Sequence, residues 1–146
     1  MNRFLNLRGR EIASDELDAR VALLRASPVF RVVPEDFKEA LASMFAERQH
    51  EDGDVLCLAG TPATEMYLVA AGEAVVDGRA DAALGRGEVV GEFGLFHRGV
   101  RTATLRARGP TRLYVLDYFR FRSFLLAFPE SMLALLGTYV GRLLEP

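Results

Sequence analysis

Residues 84–107 read LGRGEVVGEFGLFHRGVRTATLRA, with five glycines in the first sixteen positions and a strict alternation from Arg101 onward. In Arg101-Thr102-Ala103-Thr104-Leu105-Arg106-Ala107-Arg108, a period of two puts Ala103, Leu105 and Ala107 on one face. Thr102, Thr104, Arg106 and Arg108 fall on the other. Arg101 shares the parity of the small and apolar set, so the pattern predicts an inward arginine. A buried, uncompensated charge costs several kcal/mol, and such a guanidinium needs a carboxylate or a bound anion. It holds either through two parallel hydrogen bonds. The nearest acid in sequence is Glu92, directly after Gly91. Phe93-Gly94-Leu95-Phe96 is apolar enough for one buried helical turn, whose free amides would seat an anion. Gly94 lets a ligand approach the backbone closely. Carboxylate, amides and arginine together suit a ligand carrying both a hydroxyl and a phosphate.

Outward from this stretch the chain divides into a helical start, a glycine-punctuated middle and a helical end. Glycine recurs at 53, 60, 72, 78, 85, 87, 91, 94, 99 and 109 between short apolar runs at 55–58, 66–70, 74–76, 82–84, 102–107 and 113–116. Short strands joined by glycine turns predict an antiparallel sandwich or barrel. Asp77-Gly78 is a tight-turn signal, although the RADA segment after it makes a polar, weak strand. Upstream, Ser14 is the expected N-cap of a helix carrying Leu17, Val21 and Leu24 and stopping by Ser27, because Pro28 comes next. A second helix is expected from Pro34 to about Phe45, with Phe37, Leu41 and Met44 on one face. Downstream, Phe121, Phe124, Leu125 and Phe128 share a helical face that breaks at Phe128-Pro129. A last helix from Glu130 to about Leu144 carries a stripe of Leu133, Leu136, Val140 and Leu143. Residues 1–13 are read as a flexible tail and 14–146 as one domain.

Composition narrows the function. At 146 residues, half of them hydrophobic, the chain buries enough surface to fold without disulfide or metal. A net charge of −2 gives no global basic field for nucleic acid. Residues 98–122 do hold seven arginines against the single acid Asp117, but 17 of the 18 basic residues are arginine, which reads as the codon bias of a GC-rich, bacterial genome. A lone Cys57 excludes a disulfide framework and fits a reducing, cytoplasmic compartment. Two histidines, His50 and His97, argue against a histidine metal site, and no metal or cofactor is expected. No apolar run reaches membrane-spanning length. Gly85-x-Gly87-x-x-x-Gly91 lacks the strand-loop-long-helix context of a dinucleotide loop.

Gly91-Glu92-Phe93-Gly94-Leu95 followed by Arg101-Thr102-Ala103-Thr104 resembles the phosphate-binding cassette of cyclic nucleotide-binding domains, the sensor modules of catabolite-activator proteins, cyclic-nucleotide-dependent kinases and cyclic-nucleotide-gated channels. Glu51-Asp52-Gly53-Asp54-Val55-Leu56, Gly60-Thr61-Pro62, Met66-Tyr67-Leu68-Val69 with Gly72, Leu84-Gly85-Arg86-Gly87 and Phe128-Pro129-Glu130 resemble other family segments in the expected order, over about residues 21–145. The resemblance implies a mainly β fold, an antiparallel eight-stranded, jelly-roll-like β-roll with N-terminal helices and two C-terminal helices. It implies that Glu92 accepts from a ribose 2′-hydroxyl, that amides around Phe93, Gly94 and Thr102 bind a cyclic phosphate, and that Arg101 neutralises it. Gly91, Leu95 and Ala103 complete the cassette. The Thr102 hydroxyl would reach either the phosphate or a guanine amino group. The last helix would lid the purine, with Tyr139 as the contact chosen from Leu133, Leu136, Tyr139 and Arg142. Val89-Val90 and Val100 depart from the family pattern and leave base preference open.

The expected function is a cyclic nucleotide sensor, cAMP or cGMP, in which ligand moves the C-terminal helix and a partner or a further effector domain reads the change. The alternative from another class is a degenerate scaffold of the same fold that binds proteins or another ligand. An enzyme is not expected, since no nucleophile–base pair or histidine cluster is present. Direct DNA binding is not expected either. A homodimer through the last helix competes with lid and core packing as the reason for its stripe.

Overall fold

A computed structural model describes residues 12–91 and 99–145. They form two compact units, a sheet of residues 46–118 and a helical unit built from the chain on either side.

The sheet unit contains β1 (Ala46–His50), β2 (Val55–Cys57), β3 (Glu65–Val76), β4 (Arg79–Leu84), β5 (Val89–Val90) and β6 (Leu105–Asp117). Every pairing is antiparallel, in the order β1-β6-β3-β4, with β2 also on β6 and β5 also on β3. The fold is therefore the expected roll-like antiparallel sheet with flanking helices. Six strands stand among the described residues against the eight that the resemblance implies, and four of the apolar runs fall in only two strands because Gly72 and Gly109, predicted as turns, lie inside them. Runs 66–70 and 74–76 are both in β3, which shifts register between Val69 and Ala71 and between Ala71 and Glu73. Its partner β6 likewise passes through Gly109 into the run at 113–116. Gly72 and Gly109 have φ of +79° and +72°, the left-handed geometry of bulge glycines. At Gly72 a Cβ would stand 2.3 Å from the Pro110 carbonyl oxygen, so the bulge also brings two backbones into close approach.

Parity on the sheet agrees with the sequence. Leu105 and Ala107 are buried beside Leu56, Cys57, Tyr67, Val69, Ala74, Leu113 and Val115, while Arg106 and Arg108 are exposed. Burying such apolar side chains contributes about 1.5–3 kcal/mol each for the larger ones. The arginines of the basic stretch meet acids across strands: Arg106 with Asp77 at 2.9 Å, Arg108 with Glu73 at 2.7 Å and Arg112 with Glu47 at 3.6 Å. The Asp77-Gly78 turn forms at a φ of +78°, and the polar segment after it does pair as β4, with Leu84 opposite Ala74.

The helical unit comprises α1 (Ser14–Ala26), a 3-10 turn (Phe30–Val32), α2 (Glu35–Ser43), α3 (Tyr118–Ala127, from its second residue) and α4 (Pro129–Leu144). Leu17, Val21 and Leu24 are buried as spaced, but Ser14 is the first helical residue rather than the cap, and Ala13 at the N-cap supplies no side-chain bond. The α2 end is closed instead by a distant residue. Buried Arg20 donates to the Ala42 and Phe45 carbonyls at 3.0 and 2.7 Å and pairs with Glu16 at 2.9 Å, satisfying helix-terminal acceptors that a lone cap would leave open. Phe30 packs edge-on to Phe45 at 5.8 Å and tilted to Phe121 at 6.0 Å, and Phe37 stacks on Phe128 at 4.6 Å. On α4 the buried positions are Ser131, Leu135 and Tyr139. The predicted stripe is on the exposed side: Leu133 is 67%, Val140 50% and Leu143 83% exposed.

Candidate functional site

The sheet unit carries an open pocket of about 360 Å³ whose described wall includes Gly91, Arg101, Thr102, Ala103, Val90 and Tyr118. This volume lies within the ordinary range for small-molecule sites. Apolar side chains from three other strands, Cys57, Val76 and Leu84, complete much of the lining. Among the described residues the lining is thus mostly apolar, with one cation, Arg101, set into it.

Arg101 is placed by its backbone before the strand it was expected to occupy begins. Its amide donates to the Thr61 carbonyl at 2.8 Å, its carbonyl accepts from Gly60 at 2.8 Å, and Val100 bridges Pro62. The alternation carries through to position 101 even though the ladder starts only at Leu105, because turn 60–62 pairs with residues 100–101. The side chain is half-buried, as its parity implied. One guanidinium nitrogen, Nη2, donates to the Glu65 carbonyl at 2.5 Å and to the Tyr67 hydroxyl at 3.4 Å. The guanidinium carbon lies 5.1 Å from the centre of the Tyr67 ring, a cation–π distance. Among the described residues Arg101 makes no ion pair with a carboxylate.

Gly91 has a φ of +86°, and a Cβ there would come within 2.6 Å of Arg101 Nη1 and 3.3 Å of the Tyr118 hydroxyl. The glycine therefore makes room for the guanidinium as well as turning the chain. Tyr118 Oη donates to the Gly91 carbonyl at 2.5 Å and tethers the end of β5. Burial pushes the Tyr67 phenol up to about 12; the Glu65 carboxylate adds to the rise and the Arg101 cation opposes it. Tyr67 accordingly stays protonated and donates to Glu65 Oε1 at 3.0 Å.

Of the residues singled out in the sequence, Gly91, Arg101, Thr102 and Ala103 come together in this wall. Glu92, Phe93, Gly94 and Leu95, with the predicted helical turn, lie outside the described residues, as do His97 and most of the N-terminal tail. Tyr139 is buried in the helical unit, 8% exposed. His50 sits 3.6 Å from Asp54, and no three metal-ligating side chains cluster among the described residues. Sequence reasoning missed Glu65, Tyr67 and Tyr118 as supports of the site. Period two puts Glu65 and Tyr67 on one face of β3, but nothing in the sequence says that residue 101 lies against that face.

Residues 47–128, more than half the chain, match the cyclic nucleotide-binding domain family, and the chain belongs to that family. Within it, the chain is similar to human potassium/sodium hyperpolarization-activated cyclic nucleotide-gated channel 3, 30% identical over 84% of this chain and 16% of the channel. The fold is similar to the N-terminal domain of a transcriptional regulator from Streptomyces coelicolor, with a TM-score of 0.75 and 30% identity over 83% of this chain and 89% of that one. It is also similar to the regulatory domain of Toxoplasma gondii PKA crystallised with cAMP, at a TM-score of 0.71 and 23% identity over 78% of this chain and 46% of that one. The chain spans less than a quarter of the length of the channels it matches.

Proposed function

We propose that this chain is a cyclic nucleotide sensor that binds cAMP or cGMP in the Arg101 cavity and performs no catalysis. The observation that carries the reading is Arg101 itself. It is a half-buried cation whose described partners are a carbonyl, a hydroxyl and a ring face, all of them neutral, so its charge remains available to an anion. A cyclic phosphate takes that place, with amides near Phe93, Gly94 and Thr102, while Glu92 accepts from the ribose 2′-hydroxyl. Thr102, exposed on the cavity rim, is within the nucleotide's contact set and bears on the choice of base. The apolar lining from Val76, Leu84 and Val90 receives the rest of the ligand.

Ligand binding then repositions the C-terminal helix, and a partner or effector domain reads the change, in a cytoplasmic, bacterial setting. Among the described residues no single helix is long and apolar enough to cross a membrane. Calorimetric titration of the chain with cAMP and with cGMP, beside Arg101→Ala, tests the proposal. Tight binding to one nucleotide, weakened at least a hundredfold in the variant, is expected from the loss of two charged hydrogen bonds. No heat with either nucleotide, in protein shown by denatured-extract absorbance to carry no purine, transfers the assignment to the scaffold alternative.

A further inference from the structure

The geometry points to Tyr67 and Glu65 as the residues that position Arg101 for an anion, an inference that rests on the cavity being the nucleotide site. The Tyr67 hydroxyl has a single proton to give. Glu65 Oε1 stands 3.0 Å away and takes that proton, so the phenolic oxygen can offer Arg101 only an acceptor. The Glu65 carbonyl is likewise only an acceptor, and both oxygens engage the same nitrogen, Nη2. Together with the ring beneath, they hold one edge of the guanidinium plane. Nη1 lies on the side opened by Gly91, itself a cavity-wall residue, and makes no hydrogen bond with a described residue, which leaves that donor edge for an anion.

Glu65 is itself held in place. Its Oε1 accepts from Arg48 Nη1 at 3.1 Å, on strand β1, so the carboxylate is drawn between a cation and a phenol and does not turn to Arg101. This division of labour matters for an anion receptor. A carboxylate bound directly to Arg101 would compete with phosphate, whereas a carboxylate one hydroxyl removed fixes the arginine's orientation and leaves its charge uncompensated. Tyr67 and Glu65 are positioning residues on this account, acting through Arg101.

Two measurements on the full chain test the inference. The first needs no nucleotide: in nitrogen-15 spectra, the guanidinium Nη signals of Arg101, assigned by their loss in Arg101→Lys, are expected to be distinct in the wild type. They are expected to average together in Tyr67→Phe, which keeps the ring and removes only the hydroxyl. Glu65→Gln, which preserves an acceptor for the phenol, retains the distinct signals. Unchanged signals in Tyr67→Phe overturn the inference whatever the nucleotide does. The second is calorimetry with the bound nucleotide and with its parent nucleoside. Tyr67→Phe is expected to weaken the nucleotide about fivefold, the scale of one net hydrogen bond, and to leave the nucleoside unaffected. In an Arg101→Lys background it should add nothing. Equal weakening of nucleotide and nucleoside, or a full effect in that background, shows that Tyr67 shapes the pocket instead and overturns the inference. A wild type with distinct Arg101 signals that binds neither nucleotide refutes the proposed function and leaves the positioning of Arg101 standing.

Discussion

At the scale of single residues, the cavity is built by what surrounds Arg101 and by what is missing beside it. Gly91 contributes an absent Cβ, since an atom 2.6 Å from Nη1 would displace the guanidinium. Tyr67 contributes a ring and an oxygen, and its buried environment has a measurable consequence. With a folded pKa of about 12 against about 10 when unfolded, the neutral phenol favours the folded state. That contribution is fully present below pH 10 and is lost as pH rises through 12, on the order of 2 kcal/mol across the window. Urea unfolding at about pH 9.5 and about pH 11.5, either side of the free phenol's pKa, should therefore show a larger drop in stability for the wild type than for Tyr67→Phe. Identical drops in the two proteins would mean that the phenol ionises as easily folded as unfolded.

At the scale of elements, the pairing of β3 with β6 organises the sheet unit, and the bulge at Gly72 sets its course. The backbone there is left-handed, and the space a side chain needs is filled by Pro110 and Thr111, including the Thr111 Cα at 2.8 Å. Thr111 is buried at the same point, with its single hydroxyl proton shared between the Glu73 and Gly109 carbonyls at 3.2 and 3.1 Å. A substitution at Gly72 meets both penalties, conformational strain and backbone collision, neither of which a rotamer change relieves. Gly72→Ala is expected to cost about 3 kcal/mol in chemical denaturation, with Gly78→Ala, which has open space around it, costing about 1 kcal/mol. Comparable losses at the two sites would show that close approach adds nothing beyond the φ angle.

At the scale of the molecule, the outer face of α4 offers a contact surface. Leu133, Leu136, Val140 and Leu143 have three-four-three spacing and are exposed, and Gly137 and Gly141 lie between them with nothing within 4 Å of an added Cβ. Mid-helix glycine costs about 1 kcal/mol relative to alanine, and among the described residues neither glycine has a close neighbour to account for it. A self-complementary apolar stripe with small residues beside it suits a second copy related by a two-fold axis. Light-scattering mass is expected to read a dimer that Leu136→Ser with Val140→Ser converts to monomer. A monomeric wild type would rule this contact out.

The sequence alone settles the class of fold and the cation at its centre. Period-two alternation marks Arg101 as inward, glycine spacing marks an antiparallel sandwich or barrel, and the motif order marks the family and with it the roll, because these signals are local and survive in any packing of the chain. It also places Leu17, Val21, Leu24, Phe121 and Phe124 in the core by spacing. Tertiary structure decides the rest. Gly72 and Gly109 read as turns in one dimension, and only the partner strand makes them bulges. Leu133, Leu136, Val140 and Leu143 read equally as a core, lid or dimer face, because helix periodicity cannot say which of two apolar faces finds a partner, and Leu135 and Tyr139 took the core. Glu65, Tyr67 and Tyr118 support Arg101 and Gly91 from positions 27 to 36 residues away, since hydrogen bonds form wherever strand pairing brings donors to acceptors. Local pattern determines which way a side chain points, and long-range pairing determines what it meets there.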